Sequence, residues 1–300
     1  MKPRFIDIHA HTNFSAFDVD RRDVVERALA AGIWMINIGT QRDTSRRAVD
    51  MTREFPEGVY AIVGLHPVHA NASFHDAEEL GGAGAAHGST AGFTSRGEVF
   101  DKDFYRSLVH EGGKKVVGIG ECGLDYYRMP TDEERVRQIV AFRAQVELAI
   151  ELDLPLMLHV RSGKGGDAYR DVLNILREYK KGLSATGDGA KLRGDAHFFA
   201  GTAEYAQEFL DLGFCLSYTG VVTFAKEYEA LVRATPSDRV MSETDCPYVS
   251  PAPERGKGNK RNEPLFVTHI ADKIIGIQGL DLESGRAQLV ENAMRLFNIP

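Results

Sequence analysis

Phe5-Ile6-Asp7-Ile8-His9-Ala10-His11 is the stretch from which the rest of the chain can be read. Residues 4–9 have the pattern of a short buried strand: Phe5, Ile6 and Ile8 are apolar, and no helix cap precedes them. The far end of that strand carries two imidazoles two residues apart, hence on one side of an extended chain. Such a His-x-His pair can present two neutral nitrogens to one metal ion, at about 2.0–2.1 Å each for zinc. Taken alone, the pair is as readily a surface histidine beside a capped strand end. The reading gains force because ligand-type residues recur at the ends of later strands.

The 300 residues suffice for one large domain with a substantial core. A net charge of −7 argues against a broad non-specific nucleic-acid surface, which would need clustered Lys and Arg. It leaves room for a phosphate-bearing substrate held by a metal and a few local arginines. Cys122, Cys215 and Cys246 are odd in number and lack C-x-x-C spacing, which fits a reducing compartment and no disulfide framework. Asp7 and His9 interrupt any N-terminal apolar run, and no stretch of about 18 apolar residues exists. The expectation is a soluble cytoplasmic protein with no signal peptide and no spanning helix.

Short apolar, β-branched runs alternate with longer amphipathic ones. The predicted strands are 4–9, 33–38, 59–63, 116–119, 155–159, 195–199, 214–217 and 239–242. Predicted helices include 21–31, 132–152, 169–179, 203–212 and 228–235, with two more near 263–275 and 283–297 closing the chain. Eight strands alternating with helices predict a parallel α/β sheet, and eight is the number that closes a (β/α)8 TIM barrel in a single domain. An open doubly wound sheet would carry a Gly-rich phosphate turn after its first strand, where this chain has His-Ala-His. The segment at about 80–97 (LGGAGAAHGSTAGFTSRG) is Gly, Ala, Ser and Thr with little apolar content, and reads as a flexible surface insertion.

In barrels of this kind the site lies on the C-terminal rim of the strands. That rim is predicted to hold His9 and His11 from the first strand, His66 after the third and Glu121 after the fourth. The fifth contributes His159 and Arg161, the sixth His197, and the eighth Glu243 and Asp245. Four imidazoles with two carboxylates exceed the three protein ligands of a single catalytic zinc. They suit two divalent ions about 3.5–4 Å apart that share one carboxylate. Glu121 is the expected bridge, with His9, His11, Glu121 and Asp245 on one ion and Glu121, His159 and His197 on the other. A metal-activated water would be the nucleophile, and Asp245 its general base.

The combination His9-x-His11, Gly64-x-His66-Pro67, Gly120-Glu121-Cys122-Gly123-Leu124-Asp125-Tyr126-Tyr127, His159-x-Arg161, His197-x-x-x-Gly201 and Glu243-Thr244-Asp245-x-Pro247-Tyr248 resembles the TatD family of metal-dependent deoxyribonucleases. Arg255-Gly256-Lys257 and Arg261-Asn262-Glu263-Pro264 extend the resemblance, which covers about residues 4–297. It implies an amidohydrolase-type TIM barrel, a divalent-metal site and hydrolysis of DNA phosphodiesters, often from the 3′ end. By the same resemblance the metal ligands are His9, His11, Glu121, His159, His197 and Asp245. Three departures stand out: Lys164-Gly165-Gly166 is inserted before Asp167-Ala168, Phe198 and Ala200 replace the usual Cys and Ser after His197, and Gly258-Asn259-Lys260 splits the late basic run.

Further residues carry open readings. His66 is either a phosphate contact or a satisfied loop histidine. Arg161 either grips a phosphate oxygen or pairs with Asp245 or Glu243. Tyr126 either lines the cleft with Asp125 or packs in the core, and Glu243 could orient a histidine ligand. Arg255, with Lys257, Lys260 and Arg261, is either a solvated loop or a phosphate-backbone contact. His69, His75, His87, His110 and His269 are taken as non-ligands. The favoured activity is metal-dependent hydrolysis of DNA, as a 3′–5′ exonuclease on single-stranded or 3′ ends. The alternative is hydrolysis of a small amide, lactone or phosphate ester, and a third is a metal-dead binding protein. Four imidazoles favour zinc or another transition ion, with magnesium or manganese open as activators; no obligate protein partner is legible.

Overall fold

A computed structural model describes residues 2–72, 74–75, 93–94, 97–258 and 261–300. The insertion expected at 80–97 lies outside these residues, apart from 93–94 and Gly97. The strands in chain order are β1 (Phe5–Ala10), β2 (Ile33–Ile38), β3 (Val59–Val63), β4 (Phe74–His75), β5 (Phe93–Thr94), β6 (Val116–Asp125), β7 (Leu156–Arg161), β8 (Gly194–Ala196), β9 (Cys215–Tyr218) and β10 (Val240–Ser242). β4 and β5 form a separate antiparallel pair; the other eight make one sheet in the order β1-β2-β3-β6-β7-β8-β9-β10. Every pairing in that sheet is parallel.

The two edges of the sheet meet. Ala10 bridges Cys246 in parallel fashion, and Asp245 N donates to His9 O at 2.8 Å. The buried Asp7 carboxyl group fastens the same seam, 2.9 Å from Thr244 N, which donates to it, and 2.5 Å from the Thr244 hydroxyl. The sheet is therefore the (β/α)8 barrel that the alternation of strands and helices predicts. Among the described residues, no helix is long and apolar enough to cross a membrane.

Ten helices clothe it: α1 (Arg21–Ala30), α2 (Arg42–Glu54), α3 (Lys102–Gly112), α4 (Asp132–Leu152), α5 (Ala168–Thr186), α6 (Ala203–Asp211), α7 (Glu229–Ala234), α8 (Ala252–Arg255), α9 (Val267–Gln278) and α10 (Leu282–Phe297) are those among the described residues. α4 has the predicted bounds because Thr131 and Glu134 close its start as a capping box. The strand pattern does not announce α2. Its buried face is Ser45, Ala48, Val49, Met51 and Thr52, of which three are small or polar, so few large apolar residues mark it.

Apolar side chains form two large layers and a small cluster of Ala10, Phe17, Val24 and Cys246. One layer lies between sheet and helices. The other fills the barrel: Ile6, Ile8, Ile36, Ile38, Tyr60, Ile62, Val117, Met157, Cys215 and Met241, onto which α10 packs Val290, Ala293, Leu296 and Phe297. One end of the barrel is thus closed by aliphatic packing, and chemistry is confined to the other.

Candidate metal centre

Two irregularities aim the central residues. β1 has one residue more than β2 between the pairs Asp7–Met35 and Ala10–Asn37. β6 has one more than β7 between Ile119–Leu156 and Cys122–Leu158. An extra residue resets which side of the sheet the following side chains face. Ile6 and Ile8 fill the interior below the bulge in β1, and His9 and His11 enter the mouth above it. On β6, Val117 fills the interior and Glu121 enters the mouth. The strand extends to Asp125 rather than stopping at Ile119 as the sequence reading has it, so Glu121 sits on the strand itself. Gly123 makes this possible: at φ +142° its missing β-carbon would collide with the His159 carbonyl oxygen. The other strands need no such device, because Met157 and His159, or Asp195 and His197, are spaced by two and share a face.

Four donor atoms meet at the seam. His9 Nε2 and His11 Nε2 are 3.1 Å apart. Glu121 Oε2 lies 3.3 Å from His9 Nε2 and 3.9 Å from His11 Nε2. Asp245 Oδ1 lies 3.3 Å from His11 Nε2 and 3.9 Å from His9 Nε2. Tetrahedral ligands at about 2.0–2.1 Å from one ion would be ~3.3 Å from each other, and these separations bracket that figure. The protonation pattern also fits a cation. Ile38 O lies 3.0 Å from His11 Nδ1; a carbonyl can only accept, so Nδ1 carries the hydrogen and the Nε2 lone pair is free. Burial pushes His9 down to about 4, and His197 stacked 3.5 Å from its ring adds to the effect, so His9 is neutral at pH 7.

The second Glu121 oxygen faces another group. Oε1 is 2.9 Å from His159 Nδ1, 3.4 Å from His66 Nε2 and 3.7 Å from His197 Nε2. Burial alone would raise the Glu121 pKa, but His66, His9 and the His159 hydrogen bond hold it well below the usual carboxylate range. His159 is clamped from its other side by Asp125 Oδ2 at 2.9 Å. Burial disfavours its charge, yet Asp125 and Glu121 together raise it to about 9. A cation entering here displaces a proton.

His66 differs from its neighbours. Val68 N donates to His66 Nδ1 at 3.2 Å, so the neutral ring carries its hydrogen on Nε2, facing Glu121. Burial and the neighbouring His159 lower its pKa and keep it neutral. It is a hydrogen-bond donor at the mouth rather than a lone-pair ligand.

Glu243 backs His197. Its Oε1 is 3.0 Å from His197 Nδ1, too poorly aligned for a hydrogen bond, and accepts from Phe198 N at 2.7 Å. Burial disfavours charge on His197, but Glu243 outweighs it and raises the ring to about 10. Glu243 Oε2 and Asp195 Oδ2 lie 2.9 Å and 2.5 Å from the same Ser217 hydroxyl. One hydroxyl hydrogen cannot serve two carboxylates, so Asp195 keeps its proton; burial and Glu243 raise its pKa well above the usual range. Asp195 and Ser217 are absent from the sequence reading, although Asp195 stands two residues before His197 and therefore on its face.

These groups open into a cleft of about 1130 Å³, lined among others by Phe14, Arg47, His69, Arg128, Arg161, Phe198, Tyr228 and Tyr248. Two expected substrate contacts are not on it. Tyr126 is fully buried, its hydroxyl bonded to Asp171 Oδ2 at 2.9 Å. Sheet alternation turns it away from the interior that Asp125 faces. Arg255 lies outside the cleft, stacked 4.5 Å over the exposed Phe224 ring. Lys257 pairs with Glu254, and Arg261 is bound to Asp20 and packed over Phe17. Lys260 is outside the described residues. That basic run is occupied by local carboxylates and rings. Arg161 does line the cleft, 3.7 Å over Tyr127, with no ion pair to Asp245 or Glu243 among the described residues. His110 lies on α3, and His269 meets Glu254 at 3.2 Å.

The family model for TatD related DNase matches residues 6–298. The uncharacterized metal-dependent hydrolase YabD of Bacillus subtilis is 36% identical over 296 residues, with 98% of each chain covered. A protein of Erwinia tasmaniensis named 3′-5′ ssDNA/RNA exonuclease TatD is 32% identical, covering 98% of this chain and 99% of its own. Among solved structures, the Escherichia coli TatD homologue YJJV superposes with a TM-score of 0.76 at 23% identity over the full length of both chains, which supports the barrel.

Proposed function

The chain belongs to the TatD-related DNase family of metal-dependent hydrolases, and we propose that it cleaves phosphodiester bonds of single-stranded DNA from the 3′ end. The observation that carries this reading is Glu121, whose two oxygens face two separate groups of nitrogen donors. His9, His11, Glu121 and Asp245 would hold one divalent ion, and Glu121, His159 and His197 a second. When bound, such ions polarise a phosphoryl oxygen and lower the pKa of an attacking water. The four imidazoles favour zinc or another transition ion, with magnesium or manganese as added activators.

The chain's own groups supply the rest. Burial would raise Asp245, but His11, His197 and His9 hold it below the usual carboxylate range. It is ionised at neutral pH and can take the proton of the attacking water. His66 offers its Nε2 hydrogen to a non-bridging phosphoryl oxygen. Arg161, held against Tyr127 and with no side-chain hydrogen bond among the described residues, can donate to a second one.

Arg161 at the cleft suits a phosphate although the chain as a whole carries −7, whereas Arg47 is paired with Asp18 at 2.9 Å. The name of the Erwinia relative supports a nucleic-acid substrate. We place the protein in the cytoplasm on the sequence reading. The test is hydrolysis of 3′- and 5′-labelled single-stranded DNA by metal-stripped protein, with Zn²⁺, Mn²⁺ or Mg²⁺ restored singly and Glu121→Ala alongside. Metal-restored cleavage that the variant lacks supports the reading, and the product ladder reports polarity. Bound metal without cleavage would move the assignment to a small ester or amide.

A further inference from the structure

Adjacent phenylalanines after His197 have opposite fates. Phe199 is buried, its ring against Tyr169 and Phe209. Phe198 is half-buried and lines the cleft beside His197. Its backbone is in the left-handed region at φ +44°, where a bulky side chain is an outlier and glycine would be at ease. The surroundings hold it there: Phe198 N donates to Glu243 Oε1 at 2.7 Å, and Phe199 N returns to Ser217 O at 3.0 Å. Among the described residues its one ring contact is edge-on to His197, with centroids 6.0 Å apart and planes at 81°. Phe14, by contrast, already lies flat on His11, with centroids 4.3 Å apart. Phe198 is therefore a half-buried aromatic residue that lines the cleft, in a backbone state that disfavours a bulky side chain, one residue from a candidate ligand.

We propose that Phe198 is the platform on which the base of the nucleotide beside the scissile phosphate stacks. The proposal rests on the nuclease reading above and names what that site selects: an unpaired base, whatever its identity. Every base has a π-face, so stacking tolerates sequence, but only a base free of its own helix can offer that face. Phe198 thereby makes the site specific for single strands or frayed ends and indifferent to the terminal base.

The test compares metal-loaded wild type with Phe198→Ala, Phe198→Leu and Phe198→Trp. The substrates are single-stranded oligonucleotides ending either in a normal nucleotide or in an abasic one. Binding is read separately by fluorescence anisotropy with metal-stripped protein, and folding by thermal melting. On intact ends, Phe198→Ala and Phe198→Leu should raise KM and the anisotropy Kd roughly tenfold or more, with kcat nearly unchanged. Phe198→Trp should restore wild-type values. On abasic ends all four proteins should be alike, and the melting temperatures should agree within a few degrees. Variants that match wild type on intact ends, or that lose as much on abasic ends, would overturn the stacking role alone. Wild type that neither binds nor cleaves DNA would overturn the nuclease reading and this one with it.

Discussion

The two ends of the barrel interior obey different rules. Toward the α10 end, Ile6, Ile36, Tyr60, Ile62 and Val117 pack against one another with the alternation an ordinary strand provides. At the opposite mouth, β1 and β6 each carry an extra residue, and His9, Glu121 and Asp245 converge within 4 Å where aliphatic packing would otherwise continue. The first region is optimised for burial and the second for function. The second region holds the protonated Asp195 beside Glu243 and the orphaned His9 Nδ1, groups that cost free energy to bury.

Breaking each region separately should therefore damage different properties. Glu121→Ala should abolish metal-restored hydrolysis, by roughly a thousandfold or more for the several kcal/mol of charge stabilisation lost. Its denaturant midpoint should stay close to that of metal-free wild type. Ile62→Ala, at the fully buried inner core, should do the reverse. About 2–5 kcal/mol of stability would disappear in urea unfolding, with kcat/KM of the folded protein within a few-fold of wild type. Glu243→Gln keeps the shape behind His197 but removes its charge. Its metal affinity should fall by about 10–100-fold in competition with a chelator.

The smallest effect sharpens the boundary between the regions. Burial lifts Asp7 to about 8 from an ordinary 3.8, against the hydrogen bonds from Thr244 and His9. The folded chain thus keeps a proton that the unfolded chain releases near pH 4. The corresponding stability is fully present below about pH 4 and declines as pH rises towards 8. Asp7→Asn cannot ionise and should flatten that decline. Its melting temperature should equal wild type's near pH 4 and exceed it by a few degrees at pH 8.

Much of this contrast is legible in the residues themselves. β2 and β3 have the predicted bounds because β-branched runs between turn residues have few alternatives. Histidines spaced two from strand apolars, as in Met157-Leu158-His159, announce a shared face. What was not legible depends on neighbours far along the chain. The bulges in β1 and β6 arise from pairing with β2 and β7, and no local pattern marks them. Tyr126 is turned from the interior by plain alternation after Asp125, and its hydroxyl partner Asp171 lies 45 residues on. The Arg255 cluster looks free in sequence because Phe224 and Asp20, the partners of Arg255 and Arg261, come from distant parts of the chain; the Lys257–Glu254 pair, by contrast, is local. His66 shows the limit most clearly: the sequence leaves it either a phosphate contact or a satisfied loop histidine, and only the Val68 amide fixes which nitrogen carries the hydrogen.

The central claim is that one carboxylate serves two donor groups. Calorimetric titration of metal-stripped protein with Zn²⁺ or Mn²⁺, wild type beside Glu121→Gln, tests it most directly. The account predicts two ions per wild-type chain, with both binding events weakened or lost in Glu121→Gln. A single ion per chain, or two ions bound undiminished by Glu121→Gln, would contradict it.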